Sequence, residues 1–191
     1  MQPGALVNTQ ATSDNTISPA LRIRPAHVDD APALLEIYNH YVLHSTCTYQ
    51  ETPDALHERR EWIAGRDALH PATVALLDDR IVGFGALNVF RGRSAYRRTC
   101  ENSVYVAHDQ QRLGIGSAVL ADLLARAEAL GYHTVIAGID AVQSGSVALH
   151  RKHGFVEVGR MREVGFKFGR YLDVLFMQRM LRLAAAEASV P

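Results

Sequence analysis

The chain is poor in cysteine, with only Cys47 and Cys100 among 191 residues. Two thiols make neither a disulfide framework nor a zinc pattern, and Cys100 lies in a strand-like run where a small buried hydrophobe is the ordinary role. A reducing, cytoplasmic compartment is the simplest expectation. Net charge is lacking as well, because twenty basic and twenty acidic side chains cancel. Such a chain has no general attraction for a polyanion or an anionic membrane surface, so neither nucleic acid nor membrane is expected as a partner. No apolar run approaches the roughly 18 residues of a membrane span, and no segment repeats. Residues 1–20 have neither the basic start nor the apolar stretch of a signal peptide. They and residues 183–191 are expected to be tails around one domain at 21–182. The sequence is 48% hydrophobic, enough to fill one core.

The periodicities inside that domain alternate between strand and helix. "LRIRP" reads as a strand, and "DDAPALLEIYNHYVLH" as a helix with Asp29 or Asp30 at its N-cap. A second helix is expected in "TPDALHERREWIAGRDAL", capped by Thr52 or Asp54. "ATVALLDDRIVGFGALNVF" reads as two strands around an Asp-Asp turn, and "RRTCENSVYVA" as a third. Then come a helix, "SAVLADLLARAEALGY", closed by Gly131, and a strand, "HTVIAGID", too apolar for a sheet edge. A short helix, "SGSVALHRKHGF", and two strands, "VEVGRMREVGF" and "YLDVLFMQRML", finish the order. That succession is mixed α/β, neither a doubly wound sheet nor a sandwich.

Two glycines, Gly114 and Gly116, stand between the third strand of the meander and the helix after it. A glycine inside a helix is less favourable than alanine by about 1 kcal/mol, so the pair signals a sharp bend or a close approach to the backbone. A helix N-terminus with free N–H groups and a positive dipole end suits a phosphate. A P-loop would need Lys and Ser/Thr after its last glycine, where Ser117 and Ala118 stand. A dinucleotide turn would need a third glycine at Val119, although Asp140 lies where a ribose-binding acid is expected. The pyrophosphate of coenzyme A is the third ligand that could use the turn.

Five spaced segments resemble the GNAT acyltransferases, and within them the phosphinothricin and methionine sulfoximine N-acetyltransferase branch. They are "RSAYRRTCENSVYV", "RLGIG", "IAGID", "SVALHRKHGFVEVG" and "VGFKFGRYLDVLFMQ", in family order from about Leu21 to Leu181. Gln111 to Gly116 matches the family's Q/R-x-x-G-x-G/A signature. The resemblance implies a mixed, mostly antiparallel central sheet flanked by helices, with a splayed pair of strands receiving acetyl-CoA. It also implies direct acetyl transfer to a primary amine through a tetrahedral intermediate, without a metal. Glu101 is then the expected general base, since an α-amino group is mostly protonated at neutral pH. Alternation along "CENSVYV" puts Glu101, Ser103 and Tyr105 on one face and Asn102, Val104 and Val106 on the other. Val104, Val106 and the loop residues Gln111, Arg112, Leu113, Gly114, Ile115, Gly116 and Ser117 are the expected cofactor contacts, joined by Gln143, Ser146 and His150. His150 stands where many relatives carry the tyrosine assigned to protonating the departing thiolate.

The acceptor implied is a small amino-acid-like amine such as phosphinothricin, methionine sulfoximine or methionine sulfone. Its carboxylate calls for arginine's forked donors, for which Arg91 and Arg93, beside Tyr96, are the candidates. Tyr49, Lys167 and Phe168 are expected to line the acceptor pocket or a homodimer interface. Two positions depart from the family pattern: Gln143 replaces an asparagine, and Tyr171 a tryptophan. A GNAT enzyme acting on peptide N-termini or another amine, and a non-catalytic CoA- or dinucleotide-binding module, are the alternatives.

Overall fold

The strand and helix signals fall in the expected order in a computed structural model, which describes residues 21–181. The two expected tails lie outside the described residues. The strands are β1 (Arg22–Pro25), β2 (Ala72–Leu77), β3 (Arg80–Val89), β4 (Thr99–Val106), β5 (Thr134–Asp140), β6 (Val156–Lys167) and β7 (Arg170–Met180). The helices are α1 (Ala31–His44), α2 (Leu56–Ala64), α3 (Ile115–Ala129) and α4 (Ser144–Lys152). One seven-stranded sheet runs in the order β1-β2-β3-β4-β5-β7-β6. All pairs are antiparallel except β4 with β5.

Turn chemistry explains the first tight hairpin and the glycine of the second. Asp78 and Asp79 take φ of 48° and 63° between β2 and β3, a left-handed geometry that short polar side chains tolerate. Phe168 and Gly169 do the same between β6 and β7, with φ of 51° and 73°. Two helix starts differ from expectation. Asp30 precedes α1 without capping it, because its carboxylate takes a bidentate pair from Arg24 at 2.7 Å and the His27 N–H. A charge-assisted fork outweighs a cap bond. Helix α2 begins after Ala55, whose N–H is met by Glu58 at 2.7 Å, while Asp54 pairs with Arg59.

The sheet has an apolar core on each face. On one, α3 packs Val119, Leu120, Leu123 and Leu124 over Cys100, Val135, Ala137 and Ile139. On the other, α1 and α2 pack Leu34, Ile37 and Ile63 over Val74 and Phe84. The two faces meet at a gap between β4 and β5. These strands pair only at Thr99–Thr134, Cys100–Val135 and Glu101–Ile136. Beyond Glu101, β4 stays with β3 as far as Val106 and β5 stays with β7 as far as Asp140, leaving their facing edges open.

Candidate active site

A parallel pair that parts after three residues leaves backbone groups without a ladder partner, and something must satisfy them. Ala107 donates its N–H to Val82 at 2.8 Å, so by antiparallel alternation Val106 points both its backbone groups away from β3, toward the opening. Its carbonyl accepts the Tyr41 hydroxyl at 2.5 Å, and that hydroxyl in turn accepts from the Gln111 amide at 2.9 Å. The Val106 N–H faces the same gap.

The gap is a cleft of about 460 Å³ that passes between the two faces of the sheet. Glu101, Ser103, Tyr105, Gly138 and Asp140 line it from the α1 side, together with Tyr41 and Cys47. Asn102, Val104, Val106, Ser146, Leu149 and His150 line it from the α3 and α4 side. Glu101 is half-buried, and burial pushes its carboxyl above the usual carboxylate range, with the Gly138 amide acting in the opposite direction. A Cβ built on Gly138 would lie 3.2 Å from Glu101 Oε1, so the missing side chain makes room for the carboxylate.

The turn into α3 accounts for both glycines. Gly114 holds φ of 81° as the N-cap, and Arg112 before it also takes a left-handed φ, of 66°. Gly116 sits under the cleft wall, where an added Cβ would be 3.4 Å from Val106 Cγ2 and Leu149 Cδ2. The first helical bond here runs from Ala118 N–H to Gly114, which leaves the preceding amides of the turn free for an anion. Arg112, Gly114, Ile115, Gly116 and Ser117 line the cleft, whereas Leu113 is turned to solvent. The Ser117 hydroxyl is engaged by His153 Nε2 at 2.8 Å.

Several expected site residues have other partners. His150 is 4% exposed, and its Nδ1 lies 2.8 Å from the Ser146 carbonyl. A carbonyl can only accept, so Nδ1 carries the proton and Nε2 accepts from the Asn102 amide at 2.9 Å. Burial pushes the ring's pKa down against the Ser146 bond. With Nε2 accepting from Asn102 and burial disfavouring the charged ring, this arrangement speaks against the expected acid role of His150. The Gln143 amide, in place of the family's asparagine, reaches Ser45 Oγ at 3.3 Å and Thr46 Oγ1 at 3.2 Å. It ties the start of α4 to the segment after α1.

Lys167 is corrected too. It is 1% exposed, and its ammonium donates to the Ser45 and Thr48 carbonyls, each at 2.8 Å. It braces that segment from within the chain and meets neither cleft nor solvent. The Tyr49 ring covers Gly165, and its hydroxyl, pushed up to about 12 chiefly by burial, donates to the Asp173 carbonyl at 3.2 Å. Tyr49 does not line the cleft. Phe168 is exposed at the β6–β7 turn, and Tyr171 lies edge-on to Phe166 beside it. Arg91 and Arg93 are exposed on the loop before β4, where the Arg91 guanidinium lies over the Phe90 and Tyr96 rings. None of Arg91, Arg93 and Tyr96 lines the cleft. Sequence reading missed Tyr41, Cys47 and Gly138, whose placement depends on a gap between strands that no local pattern shows.

The profile described as the acetyltransferase (GNAT) family matches residues 34–155. A methionine sulfoximine/methionine sulfone acetyltransferase of Pseudomonas paraeruginosa is 40% identical over 158 residues, covering 82% of this chain and 92% of the relative. The structure of a phosphinothricin acetyltransferase from Sinorhizobium meliloti in complex with acetyl-CoA is similar at a TM-score of 0.80 and 38% identity, over 90% of this chain and 92% of that one. A structure described as a ribosomal-protein-alanine N-acetyltransferase from Brucella melitensis has a TM-score of 0.82 and 42% identity, over 84% of this chain and 99% of that one.

Proposed function

The chain belongs to the GNAT acetyltransferase family and uses acetyl-CoA, and on that premise we propose that it acetylates the α-amino group of a small amino-acid-like acceptor with Glu101 as general base. The observation that carries the reading is the position of Glu101 at the last paired residue before the strands part, half-buried, at the apex of a cleft open to both faces. The named substrates of the Pseudomonas and Sinorhizobium relatives support the acceptor class.

The residues fit the cofactor. Free amides in the turn from Arg112 to Ser117, at a helix N-terminus whose glycines leave the backbone uncovered, would hold the pyrophosphate. The unladdered edge of β4 from Asn102 to Val106 would hold the pantetheine arm. Acetyl-CoA supplies an activated acetyl group and a thiolate leaving group. The Val106 N–H is placed to donate to an oxyanion. Glu101 draws a proton from the acceptor amine, directly or through one water; its raised pKa brings it closer to the amine's and makes it a stronger base. His150 acts as a positioning residue, holding Asn102 through Nε2.

An amino-acid acceptor also carries a carboxylate. Among the described cleft residues Arg112 and Lys152 are the cations, on the turn into α3 and on α4. Arg91 and Arg93, exposed on the loop that leads into β4 and outside the cleft lining, are proposed as carboxylate partners on the family resemblance alone. We place the enzyme in the cytoplasm as a homodimer formed through β6 and β7, where Val158, Phe166, Phe168 and Tyr171 are exposed.

The test is thiol release from acetyl-CoA with methionine sulfoximine, methionine sulfone, phosphinothricin, common amino acids, spermidine and an alanine-initiated peptide. Turnover with amino-acid acceptors, lost in Glu101→Gln, is the expected result. The likeness to the Brucella structure favours a second reading, in which only the peptide is acetylated.

A further inference from the structure

Two carboxylates, rather than one, line the face of the cleft that receives the acceptor. Asp140 ends β5, and counting by twos from Gly138, which faces Glu101, places it on the same face of the sheet. It is 5% exposed and lines the cleft. Its Oδ1 accepts the Val142 N–H at 3.0 Å in the turn before α4, whereas Oδ2 has no hydrogen-bond partner among the described residues. The neighbouring wall has few donors to offer. Lys167 is spent on Ser45 and Thr48, the Gln143 amide on Ser45 and Thr46, and the Tyr49 hydroxyl on Asp173. The Ser45 and Thr46 hydroxyls accept from Gln143 and the Cys47 thiol is a weak donor, and none of the three is hydrogen-bonded to Oδ2. A buried carboxylate oxygen kept without a donor lowers stability, and a ligand that brings one relieves the cost.

Resting on the acceptor reading above, we propose that Asp140 Oδ2 accepts a hydrogen bond from an N–H or O–H group near the side-chain end of the amino-acid acceptor. Two residues of strand separate Gly138 from Asp140, about 6.6 Å. In an extended methionine sulfoximine the sulfoximine N–H lies five bonds from the α-amine, about 6 Å, so an amine at Glu101 brings that N–H toward Asp140. Methionine sulfone has the same shape with an oxygen there and no donor. Phosphinothricin presents an anionic phosphinate, which the Asp140 carboxylate repels. The site is therefore built for a neutral, donor-bearing side chain.

The experiment compares kcat/KM for the three acceptors with the full chain and Asp140→Asn, which keeps an oxygen for the Val142 amide and removes the charge. Wild type is expected to favour methionine sulfoximine over the sulfone by about tenfold or more, the worth of a hydrogen bond to a charged group, with phosphinothricin poorest. In the variant the sulfoximine preference falls severalfold and phosphinothricin gains. Asp140→Ser, whose hydroxyl still suits the Val142 amide, carries the comparison if the asparagine variant does not fold. Equal kcat/KM for sulfoximine and sulfone in wild type overturns the inference while leaving the acetyltransferase reading intact. No turnover of any of the three, with acetyl-CoA still bound, overturns the acceptor reading and this inference with it.

Discussion

Glu101, as the proposed general base, would serve activity at the expense of stability. Burial raises its folded-state pKa above the unfolded value of about 4.3, so the folded protein holds the proton more tightly than the unfolded chain. Its contribution to stability is then fully present below the unfolded pKa and is lost as pH rises through the folded one. At neutral pH the buried charge is a net cost. Glu101→Gln is expected to lose at least about a hundredfold in kcat, the scale of general-base catalysis, while its Tm at pH 7 rises. A melt and a turnover assay on the same preparation check both. The acid limb of the wild-type kcat/KM profile is expected above the usual carboxylate range. His150 follows the opposite linkage. Its pKa is lowered by burial, so its stabilising contribution is present above the unfolded pKa of about 6.5 and declines as pH falls through that value toward the folded one. His150→Ala, which removes both the Ser146 and Asn102 bonds, is expected to cost about 1–3 kcal/mol while leaving the basic limb of the pH profile in place. Loss of that limb would restore the acid role.

Among the elements, the turn into α3 separates two uses of glycine. Gly114 answers to its own backbone, since its φ of 81° is strained for any residue with a Cβ. Gly116 has an ordinary helical position, and a Cβ there meets its neighbours at ordinary contact distance. Nothing in the fold forbids alanine at 116, and helix propensity favours it by about 1 kcal/mol. Gly116→Ala is therefore expected to keep or raise Tm in the free protein and, since the family signature admits alanine at this position and the added methyl meets Val106 and Leu149 at contact distance, to leave the Kd for acetyl-CoA nearly unchanged. Gly114→Ala, which forces a Cβ into a left-handed backbone, is expected to lower Tm, and a thermal melt beside calorimetric titration separates the two glycines. The 45–50 segment is organised differently, from outside itself. Lys167, Gln143 and Tyr38 reach its carbonyls and hydroxyls from three other elements.

For the whole molecule, the long β6–β7 hairpin at the end of the sheet order is the unbalanced part. Strand β6 is exposed along nearly its whole length and carries Val156, Val158, Met161, Val164 and Phe166 at half exposure or more. An edge that long and that apolar invites pairing with another chain. The proposed homodimer is expected to sediment as such at micromolar concentration. Phe166→Asp with Tyr171→Asp is expected to yield monomers, with CD unchanged because neither side chain enters a core. Wild-type monomers at that concentration would remove the dimer proposal.

The sequence by itself determined the element order, the Asp-Asp hairpin and the glycine turn, because each follows from contacts a few residues apart. It also pointed to Glu101 as the proposed base, since β alternation and the family segments both pass through that position. Only the tertiary structure decided which face of the cleft each residue meets. Lys167 and Tyr49 were legible as polar residues near the site, but their partners lie over a hundred positions away in sequence, and no local pattern encodes such a contact. The reading of His150 also turns on a contact that the helix pattern does not show, the Asn102 amide on the neighbouring strand, which together with the carbonyl one turn back favours a positioning role. Asp140 shows both halves at once. Its place at a strand end is written in "IAGID", but that one carboxylate oxygen takes the Val142 amide and the other is left without a partner among the described residues is a property of the folded surroundings.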